Sequence, residues 1–259
     1  MKKHILINNY LSGTITIPDH YGKIPTILFL HGFGTDKNEV GNTFSIASEK
    51  LCEQGIGSLR IDFSGFGESK GETTDTTIEK LISDADIAFD FLLTQHFIDT
   101  QRVGLCGFSL GAGISALITH KRGNEIKSMA LLSPAGDLPN DFSEYFGFDQ
   151  FNRLEKSENE MELDLGWRRI KLKNKFIESL KNHSLMDAIS SYEGAFLVIA
   201  GENDFSCKHA YNYVKKVSSS NKKAVIIDDN DHIFNSANNE TSSIDQVTTE
   251  VTTWFKKTL

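Results

Sequence analysis

The stretch GLCGFSLGAG, residues 104–113, decides how the rest of the chain is read. Ser109 stands between Gly107 and Gly111 at symmetric spacing, with Gly104 and Gly113 just beyond. The apolar run RVGLCG (102–107) leads into it, and a helix-like pattern starts at 110. A strand, a tight turn and a helix are the setting that G-x-S-x-G requires. The serine has to stand on a strained turn with neighbouring backbone close by, and side chains at 107 and 111 would obstruct that approach. The first amides of the helix then offer a positive dipole end to a developing negative charge.

Outward from this turn, short apolar runs of strand length recur. They are TILFLH (26–31), SLRIDF (58–63), RVGLCG (102–107), SMALLS (128–133), AFLVIA (195–200) and AVIID (224–228). Segments with helical periodicity separate or follow them, roughly at 42–54, 76–95, 110–121, 206–217 and 241–256. In the second of these Ile78, Leu81, Ile82, Ala85, Ala88, Phe89 and Leu92 share one helical face. The alternation predicts an α/β fold with a mainly parallel sheet and helices on both faces. HILINNYLSGTITIP, ahead of it, reads as two antiparallel strands.

One segment breaks the alternation. The expected core covers 1–134 and 191–259, and residues 135–190 form an inserted cap subdomain. The insertion opens with AGDLPNDFSEYFGFDQF, which holds five aromatics, and continues as charged helical sequence through WRRIKLKNKFIESL. It is expected to fold over the sheet edge. Phe142, Tyr145, Phe146 and Phe148 are candidates for one wall of a substrate pocket.

The 259 residues carry 39% hydrophobic and 24% charged side chains, which is enough for a packed core. A net charge of -8 argues against nucleic acid and anionic membrane surfaces as partners. MKKHILINNYLSG lacks the apolar stretch of a signal peptide, and no run has the length of a membrane span. Cys52, Cys106 and Cys207 are odd in number and widely spaced, which suits reduced thiols. The expectation is a cytoplasmic protein that acts on a small molecule, with a homodimer open.

A serine hydroxyl is a poor nucleophile without a base. His232, in IIDDNDHIF, follows the last apolar strand, and Asp204, in VIAGENDF, follows the one before it. The chain order Ser109, Asp204, His232 suits a nucleophile, an orienting acid and a base. Asp231 and Glu202 are the alternatives for the acid. His4, His20, His96, His120, His183 and His209 read as ordinary loop residues. LFLHGFGTDKNE sets His31, Gly32, Phe33 and Gly34 at the end of the first core strand. The backbone N–H groups of Phe33 and Leu110 are the expected oxyanion donors, and His31 is expected to hold the loop by hydrogen bonds.

HGFG (31–34), DFSGFGES (62–69), GFSLG (107–111), GEND (201–204) and DH (231–232) together resemble the serine hydrolases of the α/β-hydrolase superfamily. The resemblance covers nearly the whole chain. Within the superfamily the short chain, the HGF-type loop and the insertion look like bacterial cinnamoyl and feruloyl esterases and related carboxylesterases. The resemblance implies an α/β-hydrolase fold and a cofactor-free, metal-free esterase that works through an acyl-enzyme. It also implies polar groups in the insertion for a phenolic ring. Asp141 falls near the place of such an acid, whereas a tyrosine expected later aligns with Phe176. That departure makes an apolar or aromatic acyl group the expectation.

Other readings use the same residues. Ester, thioester, amide and acyl-transfer chemistry share this machinery, so a peptidase, thioesterase or acyltransferase stays open. A non-catalytic binding protein on the same fold is a further alternative. A nicotinamide site would need G-x-G-x-x-G after the first core strand, and SGFGESKG (64–71) has the wrong spacing. Asp228, Asp229, Asp231 and His232 lack the glycine of a calcium loop and the second histidine of a zinc motif. Cys106 ends its strand instead of occupying the turn.

Overall fold

The computed structural model describes residues 1–19, 22–238 and 241–259. Strands β1 (Lys2–Ile7) and β2 (Leu11–Thr16) form an antiparallel hairpin. The chain continues through β3 (Ile24–Leu30), α1 (Thr43–Glu53), β4 (Gly57–Ile61) and α2 (Ile78–Thr94). Next come β5 (Ile98–Phe108), α3 (Leu110–Arg122) and β6 (Ile126–Leu132). The inserted segment contains α4 (Leu138–Phe146), α5 (Phe148–Glu155), β7 (Met161–Asp164), β8 (Arg169–Leu172), α6 (Asn174–Leu180) and α7 (Leu185–Ile189). The chain ends with β9 (Ala195–Gly201), α8 (Ser206–Lys216), β10 (Lys222–Ile227) and α9 (Thr241–Thr258).

The main sheet has eight strands in the order β1-β2-β4-β3-β5-β6-β9-β10, parallel from β4 onward. Period-2 alternation sorts each central strand between two cores. Leu28, Leu30, Leu105, Met129 and Val198 face α2, α3 and α8, whereas Ile27, Phe29, Cys106, Ala130 and Ile199 face α1 and α9. Both faces are covered, which is why these strands read as continuous apolar runs. Lysines mark both edge strands, at Lys2 and Lys3 and at Lys222 and Lys223, and discourage further pairing. The register pairs Leu30 with Gly107 and Phe108 with Leu132, so the carboxyl ends of β3, β5 and β6 finish together.

The insertion differs from expectation in three respects. It lies over the carboxyl ends of the strands and not over the sheet edge. Phe142, Phe146 and Phe176 surround Phe33 at ring-centroid distances of 5.1, 5.8 and 5.2 Å. Beyond that cluster the segment reaches the approach to α2, where the Ile78 N–H donates to Ser179 Oγ at 3.0 Å and Lys175 pairs with Asp75 at 2.7 Å. Second, the stretch expected to be helical through WRRIKL is a hairpin of β7 and β8. Leu163, Ile170 and Leu172 point inward between exposed Glu162, Arg169 and Lys171, a period of two that charge had obscured. Third, α7 belongs to the core layer. Leu185 lies against Gly113 of α3, and the Thr119 hydroxyl donates to the Ala188 carbonyl at 3.1 Å. The segment leaves β6 at its carboxyl end and must descend along α3 to enter β9 at the other end.

Candidate functional site

The turn at Ser109 is as tight as its glycines suggest. A Cβ at Gly107 would lie 2.4 Å from the Gly111 carbonyl oxygen, and one at Gly111 only 2.0 Å from that of Leu30. Ser109 itself has φ 52° and ψ -113°, a conformation that side chains rarely adopt. The strain is held by its N–H, which donates to the Leu132 carbonyl at 2.9 Å, and by its carbonyl, which accepts from Ala112 and Ala135. The hydroxyl is thereby lifted off the sheet at the start of α3.

Two loops meet it. The loops after β9 and β10 are clasped to each other, since Asn203 N–H donates to the Asn230 carbonyl at 2.9 Å. Gly201 makes this possible, because a Cβ there would sit 2.3 Å from the same carbonyl oxygen. Asp204 and His232 are brought together as a result. His232 Nδ1 is 2.9 Å from Asp204 Oδ2, and His232 Nε2 is 3.0 Å from Ser109 Oγ. A carboxylate can only accept, so Nδ1 carries the hydrogen and the Nε2 lone pair faces the hydroxyl. Asp204 is buried and also accepts from the Ser206 hydroxyl. Phe205 stacks on the imidazole at 4.9 Å with planes 21° apart, and Phe108 meets it edge-on at 5.5 Å. The alternative acids face elsewhere. Asp231 accepts from the N–H groups of Ile233 and Asn235, and Glu202 from that of Asp229.

Neither the Phe33 nor the Leu110 N–H has an acceptor among the described residues. Leu110 opens α3, where no intrahelical acceptor exists. The loop carrying Phe33 is fixed through His31, whose Nε2 accepts from the Phe63 N–H at 3.0 Å and whose Nδ1 lies 2.7 Å from the Gly32 carbonyl. Burial pushes the His31 imidazole below its ordinary pKa, which suits this neutral bridging role.

A cavity of about 70 Å³, open to solvent, lies over Ser109 and His232. Phe33, Phe142, Tyr145 and Trp167 supply its aromatic side, and burial pushes the Tyr145 hydroxyl up to about 12, so it stays neutral. Phe146 and Phe176 stand behind this wall, packed on Phe142 at 5.4 and 5.1 Å. Phe148 is 71% exposed on α5 and does not line the cavity. Asp141 does line it, but both oxygens are occupied. Oδ2 accepts from the Gly136 and Asp137 N–H groups at 2.8 and 3.0 Å, and Oδ1 lies 2.9 Å from His209 Nε2. Burial alone would push the Asp141 carboxyl up; the His209 and backbone bonds outweigh it and hold it below the usual range.

His209 thus corrects an expectation. It is no loop residue but a buried member of α8, on the face that also carries Ser206, Ala210 and Tyr213. That i, i+3, i+4, i+7 spacing was the available signal. His4, His96, His120 and His183 do not line the cavity, and His20 lies outside the described residues. Glu39, Trp167 and Phe205 line the cavity without having been singled out. For Trp167 the signal was a hairpin mistaken for a helix. No helix among the described residues is long and apolar enough to cross a membrane.

Known proteins share this architecture. Est1E from Butyrivibrio proteoclasticus, solved with ferulic acid bound, superposes with a TM-score of 0.83 at 23% identity, covering 99% of this chain and 98% of that one. Among curated sequences, Esterase EstD of Thermotoga maritima is 33% identical over 124 residues, 46% of this chain and 29% of that protein. An uncharacterized 31.7 kDa protein of Escherichia coli is 34% identical over 100 residues, 39% of this chain and 34% of that protein. Each match spans about a third of the relative's length. Residues 23–187 match the family described as serine aminopeptidase, S33. With that match across more than half its length and the sheet order above, the chain belongs to this family of α/β hydrolases.

Proposed function

We propose that the chain is a serine esterase that cleaves small esters with apolar or aromatic acyl groups. The observation that carries this reading is the hydrogen-bonded line from Asp204 through His232 to Ser109, ending in an aromatic-walled cavity. In the first half-reaction His232 Nε2 takes the Ser109 proton as Oγ attacks the ester carbonyl, and Asp204 stabilises the imidazolium. The carbonyl oxygen, now negative, receives the Phe33 and Leu110 N–H groups; one such donor is typically worth about 10²–10³ in rate. The imidazolium then gives its proton to the departing alcohol. Water, activated by the same imidazole, releases the acid from Ser109 in the second half-reaction.

The family's description favours a second reading, in which the bond cleaved is the amide of an aminoacyl substrate. The deciding experiment is a panel of p-nitrophenyl esters of increasing acyl length, run beside hydroxycinnamate esters, thioesters and aminoacyl amides. Fluorophosphonate labelling should fall on Ser109 alone. Faster turnover of amides than of every ester would replace the esterase reading, and absence of labelling would indicate a binding protein.

A further inference from the structure

Glu39 is a buried acid that the proposed reaction does not use. It is 6% exposed, in the wall of the same cavity, at the end of the loop that begins with His31. Its backbone is left-handed, with φ 63°, where glycine is favoured. Burial pushes its carboxyl up to about 7, even though hydrogen bonds from Gly32, Val40 and Thr35 and the charge of His232 act the other way. Backbone strain and a dehydrated acid both destabilise a fold, and they persist together mainly at functional sites.

Its hydrogen bonds show what it holds. Oε2 accepts from the Gly32 N–H at 2.6 Å and from the Thr35 hydroxyl at 3.1 Å, and Oε1 accepts from the Val40 N–H at 3.0 Å. The Thr35 hydroxyl is also 3.1 Å from the Gly32 carbonyl oxygen, which His31 Nδ1 contacts at 2.7 Å. Gly32 is therefore gripped at its N–H and at its carbonyl. The Gly32 carbonyl and the Phe33 N–H belong to one planar peptide unit, so fixing the first aims the second. Glycine at 32 would otherwise leave that plane free to rotate.

We infer that Glu39 is a positioning residue, which by holding Gly32 aims the Phe33 N–H at the oxygen that becomes negative during hydrolysis. This inference rests on the esterase reading for its substrate, though not for its test. A fluorophosphonate also places an oxygen among the same donors when it reacts with Ser109, so its labelling rate reads their aim without any ester. In Glu39→Ala the labelling rate and kcat fall by about 10- to 100-fold, the range that a small misplacement of a reacting group produces. KM stays within threefold, and a trifluoromethyl ketone loses affinity in parallel with kcat. Glu39→Gln, which keeps one oxygen for Gly32, lies between wild type and Glu39→Ala. A merely structural role would lower the melting temperature and leave the ratio of ketone affinity to KM unchanged. Wild-type labelling by folded Glu39→Ala overturns the inference. If Glu39→Ala does not fold, wild-type labelling by Glu39→Gln overturns it instead. Labelling without ester turnover would sink the esterase reading alone.

Discussion

Two buried aspartates each hold a histidine near the cavity, and they are built alike but placed differently. Asp204–His232 and Asp141–His209 both close at 2.9 Å, and both carboxylates are shielded from water. His232 is 30% exposed, and its second nitrogen faces Ser109. His209 is 6% exposed, and its second nitrogen lies against Gly136, where even a Cβ would sit 2.2 Å away. One imidazole has a hydroxyl and solvent-accessible space beyond it. The other has backbone. The first pair can exchange a proton with a bound molecule, whereas the second ties α4 of the insertion to α8 of the core. A buried acid–histidine pair is thus no signature of catalysis until the free nitrogen is followed to what it meets.

The comparison breaks most directly at Ser109. Ser109→Ala leaves His232 with an acid and no hydroxyl, which removes one of the two differences between the pairs. Turnover of p-nitrophenyl acetate should then fall by at least about 10⁴-fold, with the melting temperature held, since alanine keeps the Cβ at φ 52°. Retention of more than a tenth of the activity would show that another group attacks. Asparagine at each aspartate sharpens the contrast. Asp204→Asn turns the imidazole to the wrong tautomer and should cost kcat about 10³–10⁴-fold. Asp141→Asn keeps an oxygen for the two N–H groups that Oδ2 accepts but turns an uncharged N–H₂ to His209, so the charge-assisted bonds of the carboxylate are lost. It should destabilise the fold by about 2–4 kcal/mol, read by urea unfolding, while kcat changes less than tenfold. Equal kcat losses at both positions would remove the distinction.

The sequence carried the core pair more plainly than the cap pair for a physical reason. Ser109, Asp204 and His232 each follow an apolar strand, and parallel strands deliver their carboxyl ends to one rim, so position along the chain became position in space. Gly107 and Gly111 announced the close approach of β3 and α3. Nothing local announces Asp141–His209, because its partners are 68 residues apart and lie on two helices whose contact depends on how the insertion folds. The hairpin of β7 and β8 was concealed by its charges, since one face of it is exposed and only Leu163, Ile170 and Leu172 point inward. Glu39 was equally silent. Its left-handed φ and its grip on Gly32 arise from the turn as a whole, not from residue spacing.

Acid and alkali should act on opposite sides of this arrangement. The Asp141 carboxyl is held below its unfolded value of 3.8 once the His209 and backbone bonds outweigh burial. A carboxylate depressed in this way stabilises the fold above the unfolded value and loses that contribution as pH falls through the folded one. Urea midpoints should therefore drop below about pH 4 in wild type and less steeply in Asp141→Asn. Glu39 has the reverse sign, because burial raises it from 4.5 to about 7. The folded chain binds its proton more tightly, so stability present below 4.5 is lost as pH rises through about 7. That loss is on the order of 3 kcal/mol. Glu39→Gln should flatten the slope between those limits, and an unchanged slope would mean that the carboxyl is ionised throughout.

The smallest effects on turnover belong to the aromatics that the Asp141–His209 tie orients. Asp141 anchors the first turn of α4, and Phe142, the next residue, turns into the cavity against Phe33 at 5.1 Å. Phe148 lies past the break at Gly147 and points to solvent. Phe142→Ala removes cavity wall and cluster packing together. It should cost about 3–5 kcal/mol of stability and shift the preferred acyl length upward, because truncation enlarges the pocket. Phe148→Ala should alter stability by less than about 0.5 kcal/mol and leave the whole ester profile in place. Should Phe148→Ala change acyl preference as Phe142→Ala does, substrate would have to bridge α4 and α5 outside the cavity. The pair that ties the insertion down would then lie beside the binding surface instead of behind it.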